Sequence, residues 1–210
     1  LEKQKKLKMK NFIFPSNSRL CIHFPTLIPS INQKQIDKYL DKKGFGKITV
    51  DIIDLARKQL GVKYMRGSMP SNKTKSFDCS SLTQWLYGQK GIYIPRISID
   101  QRDFGNSINI EELKPGDLVF TNGHINYYWE NDKMNSVGHV GLYTGTSVIH
   151  AANKKRGVVE DDLSTFLDDD FRGATRIYDY LDVADTILIP EKERVEYDIH
   201  LRWRILRSVH

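Results

Sequence analysis

An α+β fold is predicted for this chain of 210 residues by three observations. Apolar positions up to Gly91 recur mostly at helical spacing, and those after Pro115 fall in short strand-like runs. No stretch approaches the roughly 18 consecutive apolar residues of a membrane-spanning helix. A chain of this length buries a substantial single core, so one domain with extensions is expected rather than two full domains.

Near the N-terminus, Leu20, Ile22 and Phe24 alternate with Cys21 and His23 as in a short strand, while Ile36, Tyr39 and Leu40 have helical spacing that stops at Gly44. Ile52, Ile53, Ala56 and Leu60 mark an amphipathic helix, with Gly61 placed to cap it. Leu82, Trp85 and Leu86 continue a helix that opens at Cys79 and stops at Gly91, so Cys79 falls in its first turn. Beyond the loop carrying Pro95 and Pro115, strands are expected around residues 117–120, 139–143, 147–151, 157–159 and 174–178. Last, Val195, Tyr197, Ile199, Leu201, Trp203 and Ile205 alternate strictly with polar residues, which predicts a long half-buried strand. With residues 186–189 it would form a hairpin. The expected organisation is a basic N-terminal extension over 1–48, the main domain over 49–180, and a C-terminal hairpin over 181–210 that extends the sheet. No internal repeat or low-complexity tract is present.

Charge is unevenly placed. Residues 1–48 carry 11 Lys/Arg against 3 Asp/Glu, which leaves 21 against 23 for the remainder. The run Lys3 to Lys10 reads as a solvated arm or a contact to an anionic polymer. No aromatic-interleaved basic groove follows it, so no nucleic-acid partner is expected. The N-terminus is basic like a signal peptide, yet Pro15, Pro25 and Pro29 interrupt any apolar core, and no leader is legible. Two cysteines, Cys21 and Cys79, do not make a disulfide framework.

Three segments point to one chemistry: Asp78-Cys79-Ser80 opening a helix, Gly138-His139-Val140-Gly141 on a strand, and Ile149-His150-Ala151 on the next. A thiol and two imidazoles in that order are the parts of a nucleophile, its base and a group that orients the base. A cysteine at its reference pKa is only a few per cent thiolate at neutral pH, so an enzyme lowers that pKa or supplies a base. A helix N-terminus and an imidazolium from His139 are both devices that would lower it, and fast alkylation at neutral pH is the corresponding expectation. The turn Thr144-Gly145-Thr146 brings residues 139 and 150 together in a hairpin, with register deciding whether they share a face. Asp117 and Asn153 are alternative orienters of His139. Zinc held by Cys79, His139, His150 and His124 is a competing reading, but no C-x-x-C or H-x-x-x-H pairing supports it. The thiol chemistry requires no metal or organic cofactor.

These motifs, in this order, resemble those of the NlpC family of papain-like bacterial cell-wall cysteine peptidases. The resemblance covers about residues 49–180. It rests on Gly61-Val62-Lys63-Tyr64, Asp78-Cys79-Ser80, Pro95-Arg96-Ile97-Ser98 with Gln101, Pro115-Gly116-Asp117-Leu118-Val119-Phe120, His139-Val140-Gly141-Leu142-Tyr143 and Val148-Ile149-His150-Ala151. It implies a papain-like fold, with N-terminal helices packed on a central antiparallel sheet and an extension at each end. It also implies Cys79 as nucleophile, His139 as base and His150 as the polar third member. Tyr64 would line the site near the oxyanion, and Asp78 with Ser80 would contact the free amine of a trimmed stem peptide. Asp78 is equally an N-cap for its helix, and Arg96 a partner within the loop. Ser81 stands where the family has glycine, and Lys63 and Gly67-Ser68 also depart from its pattern.

By resemblance the substrate is a peptidoglycan stem peptide, cut between D-glutamate and the following diamino acid, by an enzyme that is secreted or held in the cell envelope. Two other readings stand beside it: a thiol amidase or acyltransferase on another substrate, as in a secreted toxin or effector, and a non-catalytic wall-binding module. Tyr127, Tyr128 and Trp129 are expected to form a wall of the cleft, since binding residues concentrate on loops.

Overall fold

The computed structural model describes residues 19–69, 76–126, 136–168, 170–179, 181–195 and 197–209. The basic arm before residue 19, and Tyr127, Tyr128 and Trp129, lie outside them. In chain order the strands are β1 (Arg19–Ile22), β2 (Gly46–Ile48), β3 (Lys63–Tyr64), β4 (Ser76–Phe77), β5 (Asn106–Ile108), β6 (Leu118–Thr121), β7 (His139–Tyr143), β8 (Ser147–Asn153), β9 (Gly157–Asp162), β10 (Phe171–Arg176) and β11 (Asp185–Leu188). The described residues form two compact units, one drawn from those within 19–51, 87–93 and 181–209 and the other from those within 52–86 and 94–179.

The first unit is built on an antiparallel sheet in the order β1-β11-β2. Its helix Gln33–Lys43 opens on a capping box, in which the Asn32 side chain accepts from the Gln35 N–H and the Gln35 side chain reaches back to Asn32. It closes on Gly44 in the left-handed conformation (φ 77°), as its sequence predicts. β1 stops at Ile22 because Phe24–Leu27 turns helical with Pro25 in its first turn. Gly91 (φ 91°) lies so close to β1 that a Cβ there would fall 2.7 Å from the Cys21 nitrogen, so glycine is required for both reasons.

The C-terminal hairpin is not formed. Residues Asp198–Val209 are an α-helix, and β11 pairs with β1 and β2 instead of with residues 195–205. The apolar alternation that suggests a strand also places Leu201 and Ile205 four residues apart. Both are fully buried in the unit's core beside Leu20, Phe24, Ile36 and Ile187, whereas Ile199 and Trp203 are exposed. Burying one helical stripe against an existing core outweighs the weak strand preference of the pattern. Residues from Leu20 to Phe45 and from Ile187 to Ile205 thus contribute to one core.

In the second unit the described residues form a six-stranded antiparallel sheet in the order β5-β10-β6-β7-β8-β9. The helix expected over 52–60 ends early, at Arg57. Leu60 is exposed, and Gly61 (φ 80°) donates its N–H to Val158 O at 2.9 Å, while the Val158 N–H donates to Val62 O at 2.9 Å. The segment leading to Tyr64 is therefore docked along β9. β3 and β4 form a short parallel pair with Tyr64 opposite Phe77, which brings Tyr64 beside the start of the helix Cys79–Lys90. A further helix, Ser98–Phe104, packs on β10, where the Thr175 hydroxyl donates to Arg102 O at 2.7 Å. No helix among the described residues is long and apolar enough to cross a membrane.

Candidate active site

Asp78 sets the start of the Cys79 helix. Its Oδ1 accepts from the Ser81 N–H at 2.8 Å, and the Ser81 hydroxyl oxygen accepts from the Asp78 N–H at 2.9 Å. This reciprocal pair is a capping box in which serine does the work of the usual glutamate. Ser81, a departure from the family's glycine, thus has a defined part in shaping the turn. Asp78 Oδ2 also accepts from the Gly67 N–H at 2.8 Å and pairs with Arg96, whose other donations go to Ser80 Oγ at 2.9 Å and Ser68 O at 2.6 Å. Arg96 is a loop partner, as its sequence reading has it. Buried Gln101 donates to Ser80 O and Pro95 O and accepts from the Thr83 hydroxyl, fastening the same turn to the proline loop.

The two histidines are set by register. β7 and β8 pair Leu142 with Ile149 and Tyr143 with Val148. Continued along the strands, that register puts His150 opposite Gly141, with His139 two residues away on the same face. His139 Nε2 lies 2.7 Å from His150 Nδ1. Gly141 is needed between them, because a Cβ there would sit 2.2 Å from Val148 Cγ1 and 3.3 Å from His150 Cβ. Gly138, just before His139, packs against the loop 123–126, where a Cβ would come within 2.5 Å of Ile125 O. Phe166 closes the other side, its ring 5.9 Å from that of His139 and 5.0 Å from that of His150.

Of the groups expected to compete for the second nitrogen of His139, His150 is the one in contact. Asp117 is held by Arg176, at 3.0 Å from Nε and 2.8 Å from Nη2, and the Asn153 side chain accepts from the Lys155 and Arg156 N–H groups. A further group is present that the motifs do not reveal. Asp161 Oδ2 lies 3.0 Å from His150 Nε2, and Arg156 donates to both oxygens of that carboxylate. The available signal is spacing: residues 139, 150 and 161 follow each other at equal steps of 11.

Cys79, His139, His150, Tyr64, Asp78 and Ser80 all line one cleft of ≈ 750 Å³, with Arg66, Arg96, His124 and Arg156 also on its walls. Among the described residues no group of three or more His, Cys, Asp or Glu is disposed to hold a metal ion.

The electrostatics differ from the preformed ion pair that the motifs suggest. Burial pushes the Cys79 thiol up to about 11, with the Asp78 charge adding to it, while the Val140 and Ser80 backbone N–H groups and Arg96 oppose the rise. Burial brings His139 down to about 3, and lowers His150 as well although Asp161 resists. Burial raises the Tyr64 hydroxyl, and the neighbouring Cys79 and Asp78 add to it. Removal from water works against each charged form, and the donors at the helix start offset only part of it, so both shifts run toward a neutral thiol and a neutral imidazole. A thiol with a raised pKa gains its thiolate only as pH climbs toward 11. Iodoacetamide is therefore expected to alkylate Cys79 at pH 7 at least about tenfold more slowly than a model thiol, with the rate still rising above pH 9. Alkylation faster than the model thiol at neutral pH would show a stabilised thiolate instead.

The chain matches the NlpC/P60 family over residues 61–176. It is 32% identical over 116 residues to the gamma-DL-glutamyl hydrolase of Bacillus subtilis, covering 55% of this chain and 26% of that protein. To the bifunctional muramidase/DL-endopeptidase CwlT of the same organism it is 33% identical over 110 residues, covering 52% and 30%. Among solved structures, an NlpC/P60 family protein from Bacillus cereus superposes with a TM-score of 0.52 at 30% identity, over 63% of this chain and 41% of that one. The chain thus spans about a quarter to a third of these curated relatives.

Proposed function

The chain belongs to the NlpC/P60 family, with that family's papain-like α+β fold, and from this premise we propose that it is a cysteine peptidase hydrolysing an amide bond of peptidoglycan stem peptides. The observation that carries the reading is the contact of His139 Nε2 with His150 Nδ1 at 2.7 Å, in the same cleft as a thiol at a helix start. Cys79 is the nucleophile, His139 the base and His150 the orienting group.

The step runs from the neutral pair. His139 takes the thiol proton as sulfur attacks the carbonyl carbon, and the oxygen becomes an oxyanion held by backbone N–H groups that include that of Cys79. Each such donor contributes about 2.7–4 kcal/mol in comparable enzymes. His139 then gives the proton to the departing amine, leaving a thioester. Water loses a proton to His139, attacks the thioester and releases the acid, and the proton returns to sulfur. A base acting within the step removes the need for a resting thiolate.

The finer assignment is the bond between D-glutamate and the following diamino acid. What supports it is the similarity to the gamma-DL-glutamyl hydrolase and the muramidase/DL-endopeptidase of Bacillus subtilis. Tyr64 is proposed to face the oxyanion, and Asp78 with Ser80 to receive the free amine of a trimmed peptide. The place of action that suits this substrate is the cell envelope or the medium outside it. The test is digestion of purified muropeptides, with the terminal amine free or acetylated, read by mass spectrometry. Cleavage after D-glutamate, faster for the free amine, is expected. Intact muropeptides of both kinds would sink the proposal, and equal rates would remove the amine-binding role.

A further inference from the structure

Three adjacent strands each present one polar side chain to the same row. His139 on β7 meets His150 on β8 at 2.7 Å, and His150 meets Asp161 on β9 at 3.0 Å. β8 and β9 pair His150 with Val159 and Val148 with Asp161, so Asp161 reaches His150 along the diagonal of one sheet face. Arg156, in the turn between these strands, donates Nη1 to Asp161 Oδ2 at 2.8 Å and Nη2 to Oδ1 at 2.6 Å. The row ends there.

We propose that Asp161 is a positioning residue that sets the proton on both imidazoles, and that Arg156 holds it in place for that task. The inference rests on His139 being the base for Cys79. An ionised carboxylate only accepts hydrogen bonds, so His150 carries its proton on Nε2 and donates it to Asp161. A neutral imidazole has one proton, which leaves His150 Nδ1 as an acceptor. The short contact with His139 Nε2 is then a hydrogen bond donated by His139. His139 has its single proton committed to that bond, and its Nδ1 is left bare for the thiol of Cys79. Without Asp161, either proton arrangement of the histidine pair satisfies the His139–His150 contact. In the reversed one, the lone pair of His139 points at His150 and the thiol meets an N–H. Asp161 removes that degeneracy.

The state of the carboxylate is secured in turn. The Arg156 hydrogen bonds, followed by that of His150, hold Asp161 down to about 2. It therefore remains an acceptor at any pH at which both histidines are neutral. The arrangement is the one served in serine proteases by the aspartate behind the histidine, moved one imidazole further out. Phe166 packs edge-on to His150 and shields the row on one side.

The experiment is a two-bond 15N–1H correlation on the full chain labelled at histidine, with signals assigned through His139 and His150 substitutions, together with kcat and KM on muropeptide. Nε2–H tautomers are expected at both histidines in the wild type. Asp161→Ala is expected to mix the tautomers and lower kcat about 10- to 100-fold, the range seen when the partner behind a functional histidine is removed, with KM within twofold. Asp161→Asn, which can offer an NH2 donor to His150 Nε2 where the carboxylate only accepts, is expected to leave the tautomers mixed and turnover low, as asparagine does behind a protease histidine. Arg156 donates at both oxygens, 2.8 Å from Oδ2 and 2.6 Å from Oδ1, so an asparagine must place its NH2 against a guanidinium N–H whichever way it turns. Unchanged tautomers in Asp161→Ala, or Nδ1–H tautomers in the wild type, overturn the inference. So does a split between the two readouts in Asp161→Asn, with wild-type tautomers but lost turnover, or mixed tautomers with full turnover. The tautomer readout needs no substrate, so it stands apart from the peptidase reading, which fails separately if Cys79→Ala hydrolyses muropeptide at the wild-type rate.

Discussion

Alanine in place of Cys79 is expected to lower muropeptide hydrolysis by on the order of 10³- to 10⁶-fold. The upper figure is set by knockouts of nucleophiles that work as a unit with their base, and the catalysis over water that then remains comes from the oxyanion donors and substrate binding. No other thiol among the described residues can substitute: Cys21 is fully buried in the first unit, and burial pushes its thiol up to about 12. Ser80 is close, but its hydroxyl oxygen already accepts from Arg96 and has no base in contact. Because thiol and imidazole act in one proton transfer, His139→Ala should cost nearly as much, and the double variant little more than either alone. Activity within tenfold of the wild type in Cys79→Ala would remove the thiol from the mechanism. Additive losses in the double variant would show that the two groups act independently.

The second large effect concerns Asp78, whose replacement by alanine is expected to destabilise the chain by about 3–5 kcal/mol. The carboxylate caps the Cys79 helix through Ser81 and carries the Arg96 guanidinium. Loss of the cap alone is worth about 1 kcal/mol. The larger share comes from Arg96, which is left three-quarters buried with no counter-charge from Asp78. That division is open to measurement by urea unfolding. Asp78→Ala combined with Arg96→Met removes both charges and should recover about half of the loss, leaving the cap and the Gly67 hydrogen bond as the remainder. A double variant no more stable than Asp78→Ala would place the cost in the cap and loop. Hydrolysis should stay impaired even where stability is recovered, because the turn that presents Cys79 has lost its fastening.

Much of the second unit was readable from periodicity. β7 is found at the predicted bounds, and β6, β8, β9 and β10 lie within a few residues of theirs. The helix opening at Cys79 was marked by its own apolar stripe and by the glycine at which it stops. Leu60 and the C-terminal segment show where that reading gives out. Both carry patterns compatible with more than one burial, and what lay available to pack against decided between them. At Asp198–Val209 the first unit's core accepts Leu201 and Ile205 and leaves Trp203 in water, which no alternation count anticipates.

The candidate site divides in the same way. Residue types, their order and the glycines around His139 were enough to name a thiol, two imidazoles and the family in which they occur together, since chemical identity and local spacing are written in the chain. The choice of His150 over Asp117 and Asn153, and the presence of Asp161 and Arg156 behind it, depended on strand register, which pairs residues distant in sequence. The protonation of the pair depended on burial. A helix N-terminus beside a cysteine favours a thiolate in water, but desolvation is a property of everything packed around the sulfur, and at Cys79 it is the larger influence and pushes the thiol upward despite the helix.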